Sequence, residues 1–191
     1  MDALETTELI ESSRDKQKNR TALTISILAM VLAIASLGGS NTAKEATQEN
    51  ILAANAYAFY QAKTIRQTAF KIAATDLELQ LARDSSMLAP VKELFQKKID
   101  DYKKTIERYE SEPDTREGKK ELLIQAKEHE AARDRALRQD PWFDYAEGML
   151  QIAIVLLSVS ILGSIPVLFL VGGALGGLGS LSMINGFLLL V

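Results

Sequence analysis

Residues 148–191, GMLQIAIVLLSVSILGSIPVLFLVGGALGGLGSLSMINGFLLLV, contain no Asp, Glu, Lys, Arg or His. One crossing of a bilayer needs about 20 apolar residues, so this stretch is long enough for two. It is interrupted near its middle by residues 163–166 (GSIP), where Gly and Pro favour a tight turn. The sequence therefore predicts two membrane spans, at about 148–165 and 167–190, joined by a short turn.

A third apolar stretch lies near the N-terminus. Residues 21–40, TALTISILAMVLAIASLGGS, carry no charge, and Lys16, Lys18 and Arg20 precede them. A cleaved signal peptide is the alternative interpretation, because residues 33–35 (AIA) resemble a small-residue cleavage site. The long charged leader before the stretch favours an uncleaved membrane anchor.

The segment between the apolar stretches is highly charged but nearly balanced. Residues 41–147 contain 18 Lys and Arg against 20 Asp and Glu, a net charge of −2. Binding to nucleic acid needs a basic patch or stripe, and this composition offers none. The chain has no cysteine, which excludes disulfides, thiolate catalysis and Cys-ligated metals.

A long helix is predicted to follow the first span. Residues 38–40 (GGS) are expected to interrupt the first helix, and Thr42 with Glu45 three residues later fits a capping box that starts a new one. No Pro or Gly occurs from there to Arg83. A wide apolar stripe on this helix predicts more than one neighbour.

Two further helices are expected after a bend at residues 84–90. The first of them, at about 91–110, has apolar residues at spacings of four and three, which is a coiled-coil register. This seam consists of Phe95, Ile99, Tyr102, Ile106 and Tyr109. Residues 111–114 (SEPD) should end it, and the next helix runs from about 115 to 139. Together the charged segments predict an antiparallel helical hairpin.

The second span has clear start signals. Asp140 is a strong N-cap residue, and Pro141 suits the first helical position, where its missing N–H costs nothing. Trp142, Phe143 and Tyr145 follow at once, and such aromatic clusters lie at the headgroup level of a membrane. These three residues are therefore predicted membrane-interface anchors.

The last span has a face of small residues. This face consists of Gly172, Gly173, Gly176, Gly177, Gly179 and Ser180. Two Gly-x-x-x-Gly pairs within it allow a second helix to approach closely. That helix could belong to the same chain or to another protomer, and both could hold because the helix has two sides.

Few residues suggest chemistry. Asn185, the most polar residue of the last span, is expected to face another helix rather than lipid. His129 lies among charged residues and is expected to be a solvated surface residue, with a metal site as the alternative. No ionisable residue lies inside any span, which argues against ion-coupled transport. No catalytic, cofactor or metal site is predicted.

One motif near the start of the long helix is distinctive. It consists of Ala58, Phe59, Tyr60, Gln61, Ala62, Lys63, Thr64, Ile65, Arg66, Gln67 and Thr68. A membrane-proximal stalk explains it, with Tyr60 packed and with Lys63 and Arg66 solvated. The motif and the layout of the chain resemble a bacterial membrane-protein family known as domain of unknown function family 4337. The resemblance implies an inner-membrane protein with three spans, and it implies no activity. Members typically have a basic turn between the last two spans, whereas this chain has GSIP there.

The flanking charges favour one orientation. Four Lys and Arg residues between positions 14 and 20 lie close to the first span, whereas Lys44 alone follows it at a similar distance. The positive-inside rule then predicts a cytoplasmic N-terminus, with the helical segment and the C-terminus in the periplasm. Three arginines between positions 133 and 138 argue for the opposite orientation.

The predicted fold is an all-α membrane protein with three transmembrane helices and an extramembrane helical hairpin between the first and second. Its segments are a charged tail (1–20), a first span (21–40), the hairpin (41–140), a second span (141–165) and a glycine-rich third span (166–191).

The predicted function is that of a non-enzymatic structural protein that self-associates through its membrane and stalk helices. The alternative is an accessory subunit of a larger membrane complex, and a channel or transporter is a third possibility. The expected partners are the lipid bilayer and either further copies of the chain or other membrane-protein subunits. Nucleic acid is not expected as a partner, and no small-molecule substrate is identified.

Overall fold

The computed structural model describes residues 3–84, 86–163 and 165–190, with side chains from residue 15 onward. All regular structure in these residues is helical, which confirms the all-α prediction. The helices are α1 (Ala3–Arg83), α2 (Ala89–Glu110), α3 (Lys119–Gly163) and α4 (Pro166–Leu188). Among the described residues, α1, α3 and α4 are long and apolar enough to cross a membrane.

The chain divides into two compact units. Unit 1 comprises Met1–Ala46 and Asp134–Val191, and unit 2 comprises Thr47–Arg133. Unit 1 thus contains all three charge-free stretches of the sequence, and unit 2 contains most of the charged segment. Ser85 of the predicted bend and Ser164 of the predicted turn lie outside the described residues.

Unit 1 is built from α4 and the apolar parts of α1 and α3. Leu28 and Ala35 of α1 pack with buried residues of α3, and α4 adds partly buried residues to this core. The buried residues of α3 recur at spacings of three and four: Phe143, Ala146, Leu150, Ala153, Leu157 and Ser160. This spacing is typical of helices that pack side by side along much of their length.

The turn predicted at residues 163–166 is confirmed. Helix α3 ends at Gly163 and α4 begins at Pro166. Ile165 has an extended backbone (φ −99°, ψ 102°), as expected for a residue that precedes proline. The Ser160 hydroxyl donates a hydrogen bond to the Ile165 carbonyl oxygen (3.0 Å), which ties the turn to the end of α3.

The prediction that residues 38–40 interrupt the first helix is wrong. Helix α1 runs through them, and the Thr42 hydroxyl lies 2.9 Å from the Gly39 carbonyl oxygen instead of capping a new helix. A Cβ atom on Gly38 would lie only 2.5 Å from the ring of Phe143. The buried ring gains tens of contacts of about 0.1–0.2 kcal/mol each, which outweigh the roughly 1 kcal/mol that a helical glycine costs.

The prediction that Asp140 and Pro141 start a helix is also wrong. Both lie inside α3, which begins at Lys119 rather than near position 115 and continues to Gly163. The Asp140 carboxylate lies 3.2 Å from the Thr42 hydroxyl of α1, so its partner belongs to another helix. Pro141 lacks the N–H that would continue the helical hydrogen bonding, and the contacts of α3 with α1 and α4 offset this loss.

Unit 2 is a two-armed hairpin. One arm is residues 47–83 of α1, and the other consists of α2 followed by residues 119–133 of α3. The ring of Phe70 in the first arm lies 5.4 Å from the ring of Tyr102 and 5.9 Å from that of Tyr109 in α2. The second arm is broken between α2 and α3.

The seam predicted on α2 faces the first arm. Helix α2 begins at Ala89 and ends at Glu110, close to the predicted bounds of 91 and 110. Ile99 is 1% exposed, and the other four residues of the seam are half-buried. The seam is therefore already occupied within the chain.

We predict that Gly38→Ala destabilises unit 1 although it improves helix propensity. The new methyl group overlaps the Phe143 ring, and overpacking of this kind costs about 1–3 kcal/mol. The thermal midpoint in detergent, followed by circular dichroism, should fall relative to the unsubstituted chain.

Gly148→Ala is the matched control, because a Cβ on Gly148 of α3 meets nothing within 4 Å. It should leave the midpoint unchanged or raise it. Combining Gly38→Ala with Phe143→Leu should recover part of the loss. A Gly38→Ala chain as stable as the control would contradict the packing role of Gly38.

Candidate functional site

The 58–68 motif of α1 lies beside the break in the second arm of unit 2. Its exposed residues are Ala58, Phe59, Gln61, Ile65, Arg66 and Thr68. Its half-buried or buried residues are Tyr60, Ala62, Lys63, Thr64 and Gln67. Polar members of the buried set bind the ends of α2 and α3 and the connector between them, residues 111–118.

Gln67 joins three helices. It is 3% exposed, and its Nε2 donates to the Ile106 carbonyl oxygen and to Glu110 Oε2 of α2, each at 3.0 Å. Its Oε1 accepts a hydrogen bond from Lys119 Nζ at the start of α3 (3.0 Å). Lys119 Nζ also lies 3.3 Å from Glu110 Oε2. One buried amide therefore holds both ends of the broken arm against α1.

Lys63 binds the connector. Its Nζ lies 3.6 Å from Glu112 and 3.7 Å from Glu117, and the side chain is only 13% exposed. The same ammonium group lies 5.6 Å from the centre of the Tyr109 ring. The expectation that Lys63 is solvated is therefore wrong, because the broken arm brings two carboxylates to it.

The connector is shaped by the first turn of α3. Glu121 accepts hydrogen bonds from the Ser111 hydroxyl (2.6 Å) and the Glu112 backbone N–H (3.1 Å). Gly118 approaches Glu121 and the backbone of Glu112 so closely that a Cβ could not be accommodated. These contacts close residues 111–118 onto α3.

We call Lys63, Gln67, Glu110, Lys119 and Glu121 the polar junction. The hydrogen bond from Gln67, and then that from Lys119, lowers the pKa of the Glu110 carboxyl below its usual value. The hydrogen bond from Ser111 is the main cause of the lowered pKa of Glu121. Both carboxylates are thus held in the charged form by their partners, which suits a structural connection between helices.

His129 is not an isolated surface residue. Its Nδ1 lies 2.6 Å from Glu49 Oε2 of the first arm, and its side chain is 32% exposed. Within the described part of the chain, no group of three or more His, Cys, Asp or Glu side chains is placed to hold a metal ion. The histidine therefore connects α3 to α1 within unit 2.

The five glycines of the small face predicted on α4 divide into two sets. Cβ atoms on Gly172, Gly176 and Gly179 would lie 2.9, 2.6 and 2.9 Å from leucine side chains of α3 or α1. Cβ atoms on Gly173 and Gly177 would meet nothing within 4 Å. The first set is used for packing within the chain, and the second set is open.

Two polar residues of α4 have partners within the chain. The Ser180 hydroxyl donates to the Gly176 carbonyl oxygen (2.8 Å). Asn185 is 8% exposed, and its Oδ1 accepts a hydrogen bond from the Leu190 backbone N–H (2.9 Å), which caps the end of the helix. The backbone of its own segment thus supplies one partner of Asn185, and the expectation that this residue faces another helix stays a prediction.

The three predicted anchor residues have different surroundings. Phe143 is 1% exposed and Tyr145 is 58% exposed. The Phe143 ring packs against that of Phe187 with the centroids 4.8 Å apart, so Phe143 belongs to the core of unit 1. Trp142 and Tyr145 lie at its surface with their rings 6.3 Å apart, and an anchoring role stays a prediction.

Sequence reasoning missed the partners of the motif. Gln67 was included only as one letter of the motif, and Lys119, Glu110 and Glu121 were not singled out at all. Their partners lie 9 to 52 residues away along the chain, so no local spacing connects them. The only available signal was Gly118 in an otherwise helix-favouring stretch, which marks a close approach of backbone.

We predict that Gln67→Ala destabilises unit 2 by about 2–3 kcal/mol, because it leaves several groups at a buried position without their hydrogen-bond partner. Gln61→Ala is the control from the same motif, since Gln61 is exposed and should change stability by no more than about 0.5 kcal/mol. Chemical denaturation of the full chain in detergent measures both. Equal effects of the two variants would contradict the role assigned to Gln67.

We also predict a pH dependence of stability. Because the pKa of Glu110 is lowered in the folded chain, the unfolded chain binds more protons in acid, and stability falls as the pH drops below about 4.3, the usual glutamate value. Glu110→Gln should flatten the fall of the thermal midpoint between neutral pH and pH 3. The exposed Glu107→Gln of the same helix is the control, and an equal slope in both variants would contradict the prediction.

A known family model covers most of the chain. The model of the family described as Domain of unknown function (DUF4337) matches residues 17–189, which include the 58–68 motif and all of α2, α3 and α4. No curated protein and no solved structure matches the chain. The chain therefore belongs to the DUF4337 family.

Proposed function

We propose that this protein is a non-enzymatic scaffold of the bacterial inner membrane, which spans the bilayer three times and self-associates through its membrane and stalk helices. Three helices of sufficient length and apolar character support the membrane part of the proposal. No ionisable side chain lies in residues 21–40 or 148–191, so hydrocarbon can surround these stretches at little cost.

The open glycines of α4 carry the proposal of self-association. Gly173 and Gly177 lie one turn apart, and a Cβ atom on either would meet none of the described residues within 4 Å. The neighbouring Leu170 and Leu181 are 70% and 64% exposed. The outer side of α4 is therefore a shallow groove between leucines, into which a second helix can fit.

Membrane energetics distinguish the glycines from the leucines. Lipid tails are as apolar as leucine, so exposed leucines gain little from a protein partner in a bilayer. Glycines let two helix backbones approach closely and gain dispersion contacts that flexible lipid tails do not match. The groove at Gly173 and Gly177 is thus the part of this surface that favours a helix over lipid.

The charge distribution supports an orientation. Four Lys and Arg residues between positions 14 and 20 precede the first span, and such residues are retained in the cytoplasm. We infer a cytoplasmic N-terminus, with unit 2 in the periplasm.

We predict that Gly173→Leu combined with Gly177→Leu dissociates the assembly while the protomer still folds, since both positions have open space around them. The particle mass in mild detergent, from light scattering after size exclusion, should fall from that of an oligomer to that of one chain. Circular dichroism should stay unchanged.

Val171→Leu is the matched control, because Val171 is exposed on the same helix and lies roughly 140° around it from the midpoint of Gly173 and Gly177. It should leave the mass unaltered. An unchanged mass in the double glycine variant would remove the α4 interface from the proposal. Purification from native membranes addresses the alternative of an accessory subunit: a large species with several different chains would favour that role over self-association.

A further inference from the structure

The first arm of unit 2 has two seams on opposite sides, each of which repeats every seven residues. The inner seam faces α2 and α3 and recurs at spacings of three and four residues. It consists of Ala53, Ala56, Tyr60, Lys63, Gln67, Phe70, Ala74, Leu77 and Leu81, all buried or half-buried. This is the seam that closes the hairpin.

The outer seam is exposed and has the same period. Its first row is Ile51, Ala58, Ile65, Ile72 and Leu79, one residue in every seven. The four large members of this row are 55%, 70%, 65% and 56% exposed, in chain order. A second row three residues further on is Ala54, Gln61, Thr68, Thr75 and Ala82, all exposed and uncharged. At 3.5 residues per turn, the outer seam lies roughly 150° around the helix from the inner one.

The period of the outer seam indicates what covers it. Single exposed apolar residues are ordinary on a protein surface, but this row continues through five repeats of seven residues. A straight row of this kind is matched along its whole length by another helix with the same period.

The charges beside the outer seam identify the partner helix. In a parallel, in-register coiled coil, the residue just before a first-row position lies beside the other helix. Its neighbour there is the residue whose number is higher by five. This rule pairs Lys71 with Asp76 of a second copy and Glu78 with Arg83 of that copy, and all four side chains are exposed. Both pairs have opposite charges, so a second copy of this chain is complementary to the first. Glu78 also binds Lys103 of its own chain at 2.7 Å and remains 45% exposed.

The direction of the two strands follows from the proposed function, on which this inference rests. Two copies inserted into one bilayer by the same spans enter it in the same sense. The outer seam then begins at the same end in both copies, which favours a parallel over an antiparallel pairing.

We propose that residues 51–82 of α1 pair with the same residues of a second copy as a parallel, in-register coiled coil through the outer seam. The inner seam meanwhile holds the hairpin of each copy. The pairing buries the exposed first row and places Lys71 beside Asp76 of the other copy.

Single cysteines test the proposal directly, because the chain contains no cysteine of its own. Ile51→Cys, Ile65→Cys and Leu79→Cys are made one at a time in the full chain and oxidised in native membranes. A parallel pair brings each cysteine to its own copy at disulfide distance, so all three should form covalent dimers. Arg66→Cys is the control, since position 66 is exposed and lies roughly 130° from the middle of the outer seam.

Three results would overturn the proposal. Dimers from Ile65→Cys alone would indicate an antiparallel pairing centred on that residue. Disulfides to other proteins would indicate a different partner. Equal cross-linking of Arg66→Cys would indicate random collision.

A charge reversal tests the register. Lys71→Glu, added to Ile65→Cys, places two like charges together at both symmetric contacts and should slow dimer formation about fivefold. Adding Asp76→Lys should restore the rate. Failure of the second substitution to restore it would overturn the register.

A cysteine in the membrane interface separates this inference from the proposed function. If Gly177→Cys forms dimers and the three outer-seam variants do not, the protein self-associates and the outer seam is not its interface. If none of the four forms dimers, both proposals fail.

Discussion

Helix backbones can approach closely only where the residues between them are small, and unit 1 depends on this constraint. Gly38 of α1 receives the Phe143 ring, and Gly176 of α4 receives Leu28. In each contact a bulky side chain of one helix lies over a glycine of another. Glycine at these positions lets neighbouring helices gain dispersion contacts along their length.

Local signals predicted the helices wherever no distant contact opposed them. The bounds of α2 and the turn at Pro166 followed from proline, glycine and apolar spacing alone. The same kinds of signal failed at Gly38 and at Asp140, which were read as the ends of helices. In both places a residue of another helix makes a contact that the local sequence does not reveal. Phe143 fills the space left by Gly38, and the Thr42 hydroxyl lies beside the Asp140 carboxylate.

The candidate sites were predictable to different degrees. Spacing alone found the small face of α4, because a helix repeats every three to four residues. It could not assign Gly172 to the inside and Gly173 to the outside, since that depends on how α3 and α4 pack. The polar junction was not predictable, because Gln67 and Lys119 are brought together only by the fold. Gly118 in a stretch that otherwise favours a helix was the only trace of it in the sequence.

Because the second arm of unit 2 is broken, its two helical segments can unfold locally in separate steps. The backbone hydrogen-bond ladder of α2 ends at Glu110, and that of α3 starts beyond the connector. Melting α2 therefore breaks none of the ladder of α3, and the two can exchange their amide protons as separate cooperative segments. They stay coupled through α1, whose ladder is continuous beside both, through the amide of Gln67 and through the ion pair between Lys119 and Glu110. The hairpin is thus a single folded structure in which α2 and α3 can lose their backbone hydrogen bonds in separate steps.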